Sequence, residues 1–452
     1  MSEYLKMKQV PIIETVFDIQ DLVNNPVGVF EKYRKKYGST FSFRFGVNKT
    51  IVTGDPEVLK HVLKDNNANY HKSHIQVKRF VEFQGIGLTN SHGDYWFRQR
   101  RLLSMGFSPS HLKKLLPLQL QVLKDFMTNF DTAAKKGPVE IHQQMVHFTL
   151  RAVGKSLFGS ELKEVELEKF AHAIEDIQAF ITKQVVKPFL IPWYKISGES
   201  KKYQDLRKEG DQIIIDYVNQ RRKSGIDDGD ILKIMLNNPY KDTGEYMSDE
   251  RVMVEILQLL VAGNETSTTA ATWTFYTLAQ YPEHVLKMRK EINSVFGDEH
   301  VDYGKLRQLE FTLQVINESM RLNPPFWMID REAQGDDEIN GIKIPKGTTV
   351  IPYILGAHHN EEYWPDPKKF DPSRFDFTKN KKNHPFAHIP FGGGPRVCIG
   401  QNMAQMQMLL VVSAIVRNYD FKLTEDKPIG WKAMMLLRPD GPMYMDFIPV
   451  DS

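Results

Sequence analysis

The longest helical pattern in the chain runs from residue 248 to 281 and is apolar on nearly every side at its middle. Ser248 is a good N-cap, and Asp249 and Glu250 fill the first turn, where carboxylates suit the helix dipole. Pro282 closes the pattern. At about 1.5 Å per residue the helix spans roughly 50 Å, the width of a domain. From Ile256 to Ala262 only Gln258 is polar, which predicts burial at the centre of a large protein. A second helix is predicted over 401–418. Helical pattern dominates between about 90 and 322, broken at 225–229 and 237–246 by clustered Gly, Asp, Asn and Pro.

Elsewhere the pattern is short and strand-like. Thr40 to Gly46 and Lys49 to Val52 flank a turn at Val47-Asn48. Between Pro324 and Pro390, prolines separate short strands such as 338–344 and 348–353. Strands are also expected between Met434 and Val450, around Pro439-Asp440-Gly441. The β-containing parts therefore lie near 38–55, 324–390 and 430–450, and the helical body near 90–322 and 398–418. The fold class is mainly α with small β-sheets (α+β), expected as one domain over 1–452. No internal repeat interrupts it.

The chain has 452 residues, 41% of them hydrophobic, enough for a large core. Its net charge is +3, from 59 basic and 56 acidic residues, which argues against a nucleic-acid binder. No run reaches the roughly 18 apolar residues that span a bilayer, and no signal peptide is visible. The expectation is a cytoplasmic monomer without a membrane anchor.

There is a single cysteine, Cys398. One thiol cannot form an intramolecular disulfide or build a zinc site from thiolates. One thiolate can ligate a haem iron and push electron density onto it. Cys398 lies in Phe391-Gly392-Gly393-Gly394-Pro395-Arg396-Val397-Cys398-Ile399-Gly400, where glycines let backbone approach a flat cofactor. The helix from Gln401 would turn its positive end toward the sulfur.

Three further patterns accompany this loop. Inside the long helix sits Ala262-Gly263-Asn264-Glu265-Thr266-Ser267, a carboxylate, a hydroxyl and a glycine in a buried run. Alone it reads equally as a kink with satisfied polar groups. Glu318 and Arg321, three apart, share a helix face, with Arg374 in Asp371-Pro372-Ser373-Arg374-Phe375 about fifty residues later. Trp96 and Arg100, four apart, present an indole N–H and a guanidinium on one face.

Together these motifs, in this order from residue 96 to 400, resemble the cytochrome P450 family. The resemblance implies the fold of that family, with the long helix crossing a haem b held by the Cys398 thiolate. It places Phe391 as the shield of the sulfur, and Gly392 and Gly400 in the haem loop. Trp96, Arg100, Arg331 and Arg396 fall at positions that contact the haem propionates. Ala262 and Gly263 flank the dioxygen site, and Glu265 and Thr266 match the acid–hydroxyl pair that delivers protons there. Glu318, Arg321 and Arg374 match a structural charge triad. The implied activity is insertion of one oxygen atom of O2 into a C–H bond of a small organic substrate. No reductase is fused, so NAD(P)H-derived electrons would arrive through ferredoxin and its reductase or a flavoprotein. Arg98, Arg100, Arg101, Lys113, Lys114, Lys379, Lys381 and Lys382 are basic positions for such a donor, or simply a solvated face. Met403, Met406 and Met408 read as core packing.

Substrate contacts are sought in 71–90, 168–195, 255–266, 325–330 and near Met434. Glu255, Gln258, Phe326, Trp327 and Met434 are the candidates. A fatty acid or terpenoid is the default substrate. The polar segment 71–90 keeps a methoxylated sugar, and hence O-demethylation, open. A peroxide-driven enzyme and a non-catalytic haem sensor are rival classes, neither of which needs the Glu265–Thr266 pair.

Overall fold

A computed structural model describes residues 7–45, 48–161, 163–186, 188–297, 301–378 and 383–450. The chain divides into two compact units. The first comprises Met1–Gln76, Gln314–Cys398 and Ile429–Gly441; the second comprises Val77–Leu313, Ile399–Pro428 and Pro442–Ser452.

The first unit is built on a six-stranded sheet in the order Lys8–Gln9, Thr40–Phe45, Asn48–Thr53, Thr349–Pro352, Arg331–Ala333, Tyr70–His71. The hairpin expected over 40–52 forms, with Phe41 opposite Val52; Gly46 and Val47 at its turn lie outside the described residues. Alternation along Thr40–Phe45 sends Phe41 and Phe43 into a core with Phe30, Trp327 and Tyr353. At the far edge Tyr70 pairs with Ala333 and His71 with Glu332 in antiparallel register. Lys72 and Arg331 therefore stand at the next register position.

Residues 338–344 do not form one strand. Asp337–Ile339 and Ile342–Ile344 pair as a hairpin. Asn340 at φ 50° and Gly341 at φ 77° hold its two left-handed turn positions, the conformation that Asn-Gly supplies in tight hairpins. The spacing of three between Ile339 and Ile342 marks that break in the alternation. The strands near the end of the chain pair apart from one another: Leu437–Pro439 joins Trp431–Ala433, and Tyr444–Pro449 joins Tyr419–Leu423.

The second unit is helical. Its long helix, Asp249–Gln280, has 32 residues, and the Ser248 side chain caps it by accepting from the Arg251 amide. It packs against the helix Ile141–Phe158. The approach is close at Gly263, where a Cβ would press on Val153 at 3.1 Å. The helix Gln401–Asn418 buries Met403, Met406 and Met408, as their spacing predicts.

Candidate active site

In the first unit the segment Phe391–Cys398 is a tight loop. The Cys398 amide donates to the Phe391 carbonyl at 2.9 Å, and the Gly392 amide donates to Ile389 at 2.9 Å. Gly392 and Gly394 are left-handed, at φ 75° and 68°. A Cβ on Gly394 would strike the Leu63 carbonyl, whereas one on Gly392 would meet nothing within 4 Å. Gly394 thus serves packing, and Gly392 leaves open space on the face of the loop. The loop delivers Cys398 exposed, which is unusual for a free cysteine used only as core.

A buried charge cluster fixes the segment that leads to this loop. Glu318 and Arg321, on the helix Glu310–Leu322, form a bidentate pair at 2.6 and 2.8 Å. Arg321 also donates to the carbonyls of His358, Pro367 and Lys369. Arg374 places Nε 3.4 Å from Glu318 Oε1 and donates through Nη2 to Pro365 at 2.6 Å. The three charged side chains expected to associate are brought together. Sequence reasoning missed the fourth support, His358. Its Nε2 accepts from the Ile389 amide at 2.9 Å. Burial holds its imidazole well below the usual histidine range, so it stays neutral and can accept.

The same unit gathers cations. Arg331 is 5% exposed; its Nη1 donates to the Asp330 carbonyl at 2.6 Å, and its Nε has no partner among the described residues. Burial holds it below the usual guanidinium range. Burial, then Arg331 and Arg396, push Lys72 down to about 7 against the pull of Asp330. A buried guanidinium with an orphaned donor calls for an anion. A haem, which carries two carboxylates, fits this cluster and the open face at Gly392.

In the second unit the long helix is bare at one place. Ala262 is exposed and Gly263, Asn264, Glu265 and Thr266 are half-buried, while residues 252–260 and 267–275 are buried. Thr266 Oγ1 donates back to the Ala262 carbonyl at 2.8 Å. Asn264 Oδ1 accepts from Thr149, whose hydroxyl also lies 2.6 Å from that of Thr268. The window therefore leaves Ala262 and Thr266 accessible, with Gly263 against Val153 and Asn264 committed to the neighbouring helix. Trp96 is buried and Arg100 half-buried on the helix Gly93–Leu103. Gly400 is the N-cap residue of Gln401–Asn418.

Both polar substrate candidates bond to the loop 85–90. Gln258 accepts from the Thr89 amide and hydroxyl at 2.9 and 2.7 Å and donates to the Gly85 carbonyl at 3.2 Å. Glu255, fully buried, accepts from the Leu88 amide at 3.0 Å through Oε2. Its Oε1 has no partner among the described residues, and burial pushes the carboxyl up to about 7. Both residues fasten the loop 85–90 to the long helix. Trp327 is fully buried, and its indole N–H donates to the Met434 carbonyl at 3.0 Å. Phe326 packs on the sheet core. Between the segment ending at Gln84, the helix Glu164–Val186 and the long helix lies a cavity of about 20 Å³. Phe83, Gln84, Ala173, Ile177, Leu257 and Val261 are among its lining residues.

Of the basic positions, Arg98 is paired with Asp242 at 2.9 Å. Arg101, Lys113 and Lys114 are exposed. Lys379, Lys381 and Lys382 lie outside the described residues. Among the described residues no helix is long and apolar enough to cross a membrane.

A family model described as cytochrome P450 matches residues 6–447. Curated relatives point the same way. The chain is 28% identical over 421 residues to protein LUTEIN DEFICIENT 5, chloroplastic, of Arabidopsis thaliana, covering 87% of this chain and 69% of that protein. It is 27% identical over 444 residues to cytochrome P450 3A41 of Mus musculus, covering 92% and 86%. It is also 27% identical over 383 residues to the cyclooctat-9-en-7-ol 5-monooxygenase of Streptomyces melanosporofaciens, covering 85% and 82%.

Proposed function

The chain belongs to the cytochrome P450 family, a haem-dependent monooxygenase family, and from that premise we propose that it hydroxylates a small, predominantly apolar molecule with electrons from a separate redox protein. A haem held by the Cys398 thiolate would supply the activation of dioxygen. Cys398 would provide the thiolate, on a loop closed by the hydrogen bond from its own amide to the Phe391 carbonyl. Arg331 and Arg396 of the first unit would hold the propionates, and Trp96 and Arg100 of the second match the family's other propionate positions. Thr266 keeps its hydroxyl at the bare helical window through its bond to Ala262, and with Glu265 it passes protons to the oxygen site. The tight contact of Gly263 with Val153 leaves the other side of that turn free for dioxygen and substrate.

The observation that supports an apolar substrate is the use of Gln258, whose amide is spent on loop 85–90. The amide most suited to recognising a sugar is thereby tied up. A relative whose printed name is a monooxygenase of cyclooctat-9-en-7-ol is in keeping with this reading. Spectral titration of the ferric protein with fatty acids, terpenoids and methoxylated sugars tests it. A shift to high spin with an apolar member is expected. A shift with a methoxylated sugar alone would overturn the assignment and make formaldehyde the product to assay.

A further inference from the structure

Four threonines of the long helix spend their hydroxyls inside it. Thr266, Thr272, Thr274 and Thr277 each donate to the carbonyl four residues earlier, at 2.8 Å. Thr268 does not. Its hydroxyl crosses to the helix Ile141–Phe158 and lies 2.6 Å from that of Thr149. Thr149 donates to Asn264 Oδ1 at 2.8 Å, with the Met145 carbonyl as a competing acceptor at 2.9 Å. A hydroxyl has one proton to give. With that of Thr149 given to Asn264, Thr268 is the donor in their pair. Both threonines are buried, where hydrocarbon would pack as well; what the bonded chain adds is direction. The turn at 262–266 is thus held from behind at two successive residues, Gly263 against Val153 and Asn264 bonded to Thr149. At about 3.6 residues per turn, Thr266 emerges on the side of the helix nearly opposite Asn264. A rotation that Asn264 resists would swing Thr266 by the same angle.

We propose that Thr149 is a positioning residue for oxygen activation: through Asn264 it fixes the rotation of the turn that carries Glu265 and Thr266. This rests on reading that pair as the proton-delivery site. Product formation consumes dioxygen, two protons and two electrons from NAD(P)H, leaving one oxygen atom in the product and the other in water. With protons misdelivered, the same dioxygen, electrons and protons leave as hydrogen peroxide, and the substrate is unchanged. Thr149 touches neither substrate nor oxygen site, so its effect must pass through the turn it holds.

The test compares the native holoprotein with Thr149→Val, which removes the hydroxyl, and Thr149→Ser, which keeps it. Asn264→Ala removes the acceptor, favours helix and stands in if Thr149→Val does not fold. Amide hydrogen exchange is expected to quicken by about tenfold across 262–266 in Thr149→Val and Asn264→Ala, as one lost hydrogen bond would cause, and to stay native in the rest of the long helix. Product per NAD(P)H should fall about threefold or more in both, with peroxide making up the difference, and recover in Thr149→Ser. In a Thr266→Ala background, Thr149→Val should lower coupling no further, because the hydroxyl it positions is gone. Native exchange across 262–266, or native coupling in Thr149→Val and Asn264→Ala, would overturn the proposal. So would a Thr149→Val loss as large in the Thr266→Ala background as in the native one, the mark of general loosening. Native coupling in Thr266→Ala would defeat the reading of the pair and this proposal with it. Native coupling in the Thr149 and Asn264 variants beside an uncoupled Thr266→Ala defeats this proposal alone.

Discussion

Arg321 grips Glu318 through two bonds, Nε to Oε2 at 2.6 Å and Nη2 to Oε1 at 2.8 Å, with both side chains fully buried. The pair is worth little against well-packed hydrocarbon, but breaking it strands a charge. It also organises backbone, since Arg321 collects three carbonyls between residues 358 and 369. Glu318→Ala is therefore expected to lower stability by about 3–5 kcal/mol and to reduce haem content on purification. Urea unfolding and the haem-to-protein absorbance ratio measure the two effects. A variant that keeps native stability and full haem content would show that the cluster does not support the loop.

Thr266 donates to the Ala262 carbonyl, so removing its hydroxyl leaves the helix intact and empties one position at the bare window. Thr266→Ala should divert electrons from product to hydrogen peroxide, with product per NAD(P)H falling roughly tenfold or more. Thr266→Ser should recover most of the coupling. Product and peroxide are measured against NAD(P)H consumed. Coupling unchanged in Thr266→Ala would remove the hydroxyl from proton delivery.

The carboxyl of Glu255 is pushed up to about 7 from an ordinary 4.5. An acid raised in the fold favours the folded state in its neutral form. Its contribution is complete below pH 4.5 and declines as pH rises to 7, by on the order of 3 kcal/mol. Glu255→Gln keeps an acceptor for the Leu88 amide without the ionisation. The stability difference between variant and native should move in favour of Gln between pH 5 and 8. Unfolding curves at both pH values check this, and a difference independent of pH would contradict it.

Asp337 behaves in the opposite sense. Burial alone would raise it, but hydrogen bonds from Tyr70, His61 and Asn66 outweigh that and hold the carboxyl below its ordinary 3.8. The bonds measure 2.6, 2.8 and 3.0 Å. The stabilisation is present above that ordinary value and is lost as pH falls through the lowered one. Asp337→Asn should destabilise the protein by about 1–3 kcal/mol at pH 7, with a gap that narrows below pH 4. Urea unfolding of the variant and the native protein at pH 7 and pH 3 checks this, and an equal gap at both would contradict it.

Elements framed by local signals were legible in the sequence. Ser248 and Pro282 bracket the long helix, which ends at Gln280, and the pattern over 401–418 matches the helix there. The single cysteine in its glycine loop, and the order of the other motifs, were enough for the family. What local pattern could not show was how polar side chains divide their hydrogen bonds. Gln258 looked available for substrate because the loop 85–90 that takes up its amide lies 169 residues away in sequence. Trp327 looked like a stacking surface, yet its indole N–H meets a carbonyl 107 residues further on. The Asn340-Gly341 turn did carry a local signal, since Asn-Gly between Ile339 and Ile342 interrupts the alternation.

The most direct measurement is the carbon monoxide spectrum of the reduced protein, native against Cys398→Ser. A thiolate trans to the bound carbon monoxide gives a Soret band at distinctly longer wavelength than a neutral ligand does. The native protein should show that band and Cys398→Ser should lose it, even where haem is retained. Persistence of the band in Cys398→Ser, or its absence from haem-loaded native protein, would contradict the assignment of Cys398 as the iron ligand.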